Sequence, residues 1–284
     1  MKCKVYLAAA ILGIGTLVLA DFTSDFQDAL KLFNEGKNAE SLGKFTELAK
    51  LAPNPGSKSD TLYYAVMSAI KLQQFKKAED LIADIQREST KKLCQMNLML
   101  AQGKLAELVT AFKDEDLTTW SDFHIYDALI TRGFAYMKLK QYGEALTDFR
   151  KAEGFVSAPV KNAQVLNLIG ITLEQAGDDE QALSVYRQIE EIPHMKGYGF
   201  SNDAIISAAK ILSKQKKYDE ALKEMAKIVP AKSGYWHAHP LMVQAELYAA
   251  QGKKDEAVAK YNEALQGAPE DLKKSIQTAI EKLK

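Results

Sequence analysis

The side chains able to do chemistry are few in this sequence, and they stand apart from one another. His237 and His239 are two residues apart. On a helix that spacing points them in different directions, and in a loop it leaves them short of the three or four ligands a metal takes. His124 and His194 are isolated and read as loop residues or helix-end partners. Asp114, Glu115 and Asp116 form one acidic cluster, and Asp178, Asp179 and Glu180 form another. Both suit the start of a helix, where the dipole favours negative charge, with calcium the remote alternative. Lys214, Lys216 and Lys217 make a basic spot that reads as a solvated face. There is no glycine-rich phosphate loop before a strand, no Gly-x-Ser-x-Gly and no His-Glu-x-x-His. The sequence therefore predicts no catalytic residue, no cofactor and no metal site, and what must be explained is a set of helices rather than a reaction.

Basic and acidic residues balance at 37 each, so nucleic acid, whose binding draws on a basic excess, is not an expected partner. The first twenty residues differ from the rest. Lys2 and Lys4 precede an uncharged run from Val5 to Leu19, and Val18, Leu19 and Ala20 lead to the acidic stretch opening at Asp21. This order predicts a secretory signal peptide over residues 1–20, cleaved after Ala20. As a helix the apolar run would be about 22 Å long, short of the roughly 30 Å hydrocarbon core, so a stable membrane anchor is not expected after cleavage. The product would be periplasmic or secreted and nearly neutral, with 35 basic against 37 acidic residues. Cleavage would remove Cys3 and leave Cys94 the only thiol, so no internal disulfide could form. Cys94 lies among Leu93, Met96, Leu98, Met99 and Leu100 and reads as a small buried hydrophobe.

Beyond residue 20 the sequence repeats itself about every 36 residues. The clearest copy runs from Arg132 through Tyr136, Tyr142, Ala145 and Phe149 to Ala152. Another has Gly170, Gly177, Ala182 and Tyr186, and later ones have Tyr218, Ala221 and Met225, then Gly252, Ala257, Tyr261, Ala264 and Pro269. Upstream, Gly36, Ser41, Phe45 and Pro53, then Phe75 and Ala78, then Gly103, Leu108 and Phe112 keep the same grammar. Each copy has apolar residues at helical three-four spacing, a polar or glycine-bearing turn and a second such helix, and no stretch alternates at period two.

These residues resemble the tetratricopeptide repeat, a pair of antiparallel helices, A and B, of about 34 residues. The small residue that opens helix B in that family falls on Ser41, Ala78, Leu108, Ala145, Ala182, Ala221 and Ala257, and the large residue four places on is Phe45, Ile82, Phe112, Phe149, Tyr186, Met225 and Tyr261. A small residue is needed where A and B cross closely, and the large one on the same face fills space toward the next repeat. The spacings between successive small positions, 37, 30, 37, 37, 39 and 36, place a shortened connection in the third copy and insertions in loops elsewhere. Three of those loops carry aromatics: Trp120 and Phe123, Tyr198 and Phe200, Tyr235 and Trp236. The expected fold is all-α, an α-solenoid of about seven repeats over residues 21–270, closed by a C-terminal capping helix over 271–284.

The resemblance implies a partner, a protein or peptide laid along the face made by the A helices. Carried onto this sequence, the family's groove positions are Phe26, Leu30 and Phe33, then Tyr63, Met67 and Ile70, then Leu93, Asn97 and Leu100, then Ile130, Phe134 and Met137. Later positions turn polar: Asn167, Ile171 and Glu174, then Ile206, Lys210 and Ser213, then Met242, Glu246 and Ala249. The Lys/Asn clamp with which some relatives grip a peptide carboxylate is missing, since Phe26 and Leu30 stand where its first pair would be. The expected function is a non-catalytic protein-binding scaffold outside the cytoplasm, in envelope complex assembly. The alternative is a solute- or lipid-binding accessory protein with an apolar groove.

Overall fold

The computed structural model describes residues 21–120, 122–156, 158–193, 199–229 and 231–283. The expected signal segment, His194 and Tyr198 lie outside them, as does the side chain of Phe123. Every regular element among the described residues is helical. After α1 (21–34) come α2 (Asn38–Leu51), α3 (Pro55–Lys71), α4 (Phe75–Ala83), α5 (Glu88–Ala101), α6 (Leu105–Phe112), a short 3-10 turn at Leu117–Thr119 and α7 (Asp122–Lys138). These make up the first of two compact units, which ends at Gln141. The second holds α8 (Tyr142–Glu153), α9 (Pro159–Ala176), α10 (Asp179–Glu191), α11 (Gly199–Lys214), α12 (Tyr218–Met225), α13 (Tyr235–Ala250), α14 (Lys254–Gly267) and α15 (Glu270–Leu283). Among the described residues, odd-numbered helices up to α13 occupy the A positions of the repeat and even-numbered ones the B positions, with α7 in the first unit and α8 in the second. The short spacing from Ala78 to Leu108 is not a shortened connection, as expected from the sequence, but a pair of shorter helices: α4 and α5 have 9 and 14 residues where α2 and α3 have 14 and 17.

The same turn joins A to B in every pair. The N–H two residues into the turn reaches back to a carbonyl of the last helical turn: Lys37 to Leu32, Gln74 to Ala69, Lys104 to Met99, Gln141 to Tyr136, Asp178 to Leu173, Lys217 to Leu212 and Lys253 to Tyr248, each at 2.9 Å. This is the Schellman arrangement, which needs one residue at positive φ to satisfy the orphan carbonyls. Four turns use the glycines read from the sequence, Gly36, Gly103, Gly177 and Gly252, and three use Gln73, Lys140 and Lys216 at φ 57°, 62° and 60°. A side chain there costs about 1 to 2 kcal/mol, partly offset because glycine loosens the unfolded chain. Replacing Gln73 or Lys216 with glycine should therefore raise stability by about 0.5 to 1 kcal/mol, read as a higher melting temperature. A lower one would show that these side chains make contacts the turn depends on.

The pairs close on the residues the repeat requires. All seven small-position residues, Leu108 included, are completely buried, and each large residue four places on is buried too. Ser41 meets Ser68 of α3 hydroxyl to hydroxyl at 2.9 Å, and Ser68 donates onward to the Tyr64 carbonyl at 2.8 Å. Phe200, Tyr235 and Trp236, expected in loops, instead open α11 and α13. Gly234, at φ 85°, turns the chain just before α13. Within α13, Pro240 lacks the N–H that would bond the Trp236 carbonyl, and that carbonyl accepts from Ala231 N–H at 3.2 Å instead. The last described helix, α15, buries Ile276 and Ile280 and is largely exposed elsewhere.

Candidate functional site

In the first unit α1, α3, α5 and α7 present the residues that the repeat assigns to a groove. Their spacing of three and four places them on one face of each helix. The depth at which they sit differs. Phe26, Leu30, Phe33, Tyr63 and Ile70 are half-buried and pack against the core formed by Phe45, Leu62, Val66 and their neighbours. Phe26 meets Phe45 and Tyr64 edge-on with ring centroids 5.5 and 5.7 Å apart, and Phe33 meets Tyr64 at 5.5 Å. Lys71 lies over the Phe33 ring with its Nζ 3.6 Å from the centroid, and burial there holds its ammonium below the usual lysine range. Met67, Ile130 and Phe134 are half-buried as well. The Lys138 ammonium is 5.1 Å from the Phe134 ring.

Two positions are corrected. Met137 is 4 % exposed and Leu93 is completely buried, so both belong to the core and not to an accessible face. Asn97 does lie on the face, but its amide is committed: Nδ2 donates to the Leu93 carbonyl at 3.0 Å, and Thr131 Oγ1 of α7 is 3.2 Å from its Oδ1. The physical reason is the same for Leu93 and Met137. Helical period fixes the side a residue faces, whereas the neighbouring A helix decides how deep it sits.

Tyr64 was not singled out by the sequence pattern, yet it is the hub of the face. It stacks on Phe45 at 5.2 Å, touches Phe26 and Phe33, and meets Tyr63 edge-on at 5.1 Å. Burial, followed by the nearby Asp127 carboxylate, pushes both phenols above the usual tyrosine range, so they act as neutral hydrogen-bonding groups. Tyr126 is pushed up to about 12 by the same two causes. The one signal in the sequence is the Tyr63–Tyr64 pair itself: on a helix adjacent residues cannot share a face, so one of them had to point between helices.

The isolated candidates for chemistry have structural roles. His124 is buried, with Nε2 2.7 Å from Thr90 Oγ1. His237 sets Nδ1 2.8 Å from the Ala231 carbonyl and Nε2 3.1 Å from that of Glu263, bridging the start of α13 to α14. Asp178 caps α10 by accepting from Gln181 N–H at 3.1 Å. Asp116 caps the 3-10 turn by accepting from Thr118 N–H at 3.1 Å. Glu115 accepts from Lys92 at 2.8 Å and from the Trp120 indole at 3.1 Å, and these bonds hold its carboxyl below the usual range. Lys214 pairs with Glu174 at 3.0 Å. Cys94 is buried, and burial pushes its thiol up, away from the reactive thiolate. Among the described residues no group of three or more His, Cys, Asp or Glu could hold a metal ion. No described helix is long and apolar enough to cross a membrane.

Comparison with known proteins gives the same reading of the repeats. Residues 173–284 match the tetratricopeptide repeat-like domain, and residues 126–154 match the tetratricopeptide repeat. Similar solved structures include a tetratricopeptide repeat protein from Parabacteroides merdae, 13 % identical, with a TM-score of 0.53 over 92 % of this chain and 98 % of that one. The apo form of RapI is 12 % identical, with a TM-score of 0.66 over 86 % and 75 %. PilF of Pseudomonas aeruginosa is 14 % identical, with a TM-score of 0.54 over 92 % and 99 %. At these identities the likeness concerns the fold. No curated protein matches the sequence significantly.

Proposed function

We propose that this chain, which matches tetratricopeptide-repeat models over residues 126–154 and 173–284, is a non-catalytic scaffold holding a protein or peptide partner on the A-helix face of its first unit. The observation that carries the reading is that Met67, Ile130 and Phe134, on two A helices of that unit, are apolar side chains only partly buried, on the face the repeat offers to partners. Large apolar residues of this kind anchor interfaces, with hot spots worth at least about 2 kcal/mol each. Phe33 and Tyr63 support the same face but also pack on the core, so they are poor probes of binding alone.

The proposal includes export and action outside the cytoplasm, in the assembly of envelope complexes. Its support is Lys2, Lys4, the apolar run from Val5 to Leu19 and the Val18-to-Ala20 order. Amino-terminal sequencing of the mature protein should begin at Asp21, and intact Met1 in the membrane fraction would contradict it.

The binding face is tested by changing Met67 and Phe134 together to Ala and comparing capture of partners from envelope extracts with that of the parent. The expected result is loss of capture, with a melting temperature lowered only slightly, because neither side chain is fully buried. Unchanged capture would move the site elsewhere. A small apolar ligand would draw instead on a cavity of about 350 Å³ beside Leu48 and Leu51, and none of the A-helix face residues named above lines it.

A further inference from the structure

The A-helix face of the second unit carries charge that its own chain does not use. On α11, Asp203 and Lys210 stand seven residues apart, two turns or about 10 Å along one stripe. On the neighbouring α13, Tyr235, His239, Met242 and Glu246 form the matching stripe. Lys210 is within electrostatic reach of Asp203, His239 and Glu246, and Asp203 is within reach of Tyr235. None of Asp203, Lys210 and Glu246 makes an ion pair among the described residues. Charges elsewhere in this unit do pair: Arg187 with Glu224 at 3.1 Å, Lys227 with Glu190 at 2.8 Å and Lys214 with Glu174 at 3.0 Å.

Crowding by protein raises the carboxyls of both Asp203 and Glu246 above their usual range, and Lys210 only partly counters it. Glu246 is exposed, at the α13 end of the stripe. A carboxyl whose folded pKa lies above its unfolded one costs stability once ionised, and the cost is fully present at neutral pH. Charged groups gathered on one face with no ion pair among the described residues suit a partner outside the chain.

The second observation is aromatic. Tyr235 is 48 % exposed. One face of its ring is backed by His239, stacked with centroids 4.9 Å apart, and its edge is set by Trp236 at 5.3 Å. A fixed, accessible ring beside an unpaired carboxylate matches one side chain better than any other. Guanidinium is planar, stacks on aromatic faces and offers a fork of N–H donors to a carboxylate, whereas an ammonium is a point charge with no plane to stack.

We propose that the α11–α13 face of the second unit holds an arginine-bearing segment of a partner polypeptide, its guanidinium stacked on Tyr235 and donating to the Asp203 carboxylate, with Glu246 adding negative potential along the stripe. The inference rests on the scaffold reading and names the chemistry of the partner.

The test starts with a random displayed-peptide library selected on the full chain. The best binders are then synthesised with arginine or its neutral isostere citrulline and measured by fluorescence anisotropy. Selected peptides should be enriched in arginine. Citrulline should weaken binding about tenfold or more, as loss of a charge-assisted bond does. Asp203→Asn should weaken the arginine peptide similarly and abolish the difference between the two peptides, which is the mark of a direct contact. The melting temperature of Asp203→Asn should not fall. Should that variant fold poorly, Tyr235→Leu reads the same contact through the stack. Peptides that bind equally well with citrulline, or equally well to Asp203→Asn, overturn the inference and leave the scaffold reading standing. Selected peptides lost only on changing Met67 and Phe134 do the same. A library that yields no binder overturns both.

Discussion

Arg132→Ala should destabilise the first unit by about 2 to 5 kcal/mol, seen as a lower urea midpoint. Arg132 belongs to α7 and is only 6 % exposed. Its Nη1 donates to the Phe112 carbonyl at 2.6 Å and to the Glu115 carbonyl at 2.9 Å. Phe112 ends α6, a helix of eight residues whose final carbonyls have no partners in the helix itself. Removing the guanidinium strands both carbonyls, at about 1 to 3 kcal/mol each for a buried acceptor left unsatisfied. Arg132→Lys should recover part of the loss, because an ammonium keeps the charge and can donate but lacks the planar guanidinium that sets Nη1 between the two carbonyls. An unchanged midpoint for the alanine variant would mean that α6 is held by other contacts.

Gly170→Ala should also destabilise, against the usual direction. In an exposed helix interior, alanine is more favourable than glycine by about 1 kcal/mol. Here a Cβ on Gly170 of α9 would lie 2.4 Å from Cε1 of Tyr186 and 2.9 Å from two further atoms of its ring. Tyr186 of α10 is fully buried, so the ring has nowhere to go. Its hydroxyl is 3.3 Å from Glu174 Oε2. Forced overpacking of this kind costs about 1 to 3 kcal/mol, and the thermal midpoint should fall accordingly. Shortening the partner with Tyr186→Leu should make the two changes less costly together than their sum, because they share one space. A midpoint that rises on Gly170→Ala would contradict this close approach of Tyr186 to α9.

The repeat was legible because it depends on residue size at fixed intervals, and size is written directly in the sequence. Ser41, Ala78 and Ala257 are where close helix crossings require them, and all are buried. Leu108 broke the size rule without breaking the position, and it too is buried. The turns were half legible. Glycine marks four of them, whereas Gln73, Lys140 and Lys216 adopt the same left-handed geometry with no glycine to announce it. The Schellman bonds impose that geometry, and they are the same whichever residue occupies the position. The face was legible in direction and not in depth. Leu93, Met137 and Phe134 all lie on A helices, but only the first two sink into the core. Arg132 was read as part of the repeat consensus. Its work is a contact across twenty residues of sequence, which local spacing cannot encode. Asp203, Glu246 and Tyr235 gave no joint signal for the same reason, since they meet only when α11 and α13 lie side by side.

The central claim, that the A-helix face of the first unit holds a protein partner, is tested most directly by site-specific photocrosslinking in cells. Benzoylphenylalanine placed at Phe134 keeps the aromatic ring on the half-exposed face, and the same probe at Lys223, an exposed position on the B helix α12, serves as the control. The account predicts a light-dependent adduct with one discrete protein from position 134 and none from position 223. No adduct from position 134 with the protein folded and expressed, or identical adducts from both positions, would contradict it.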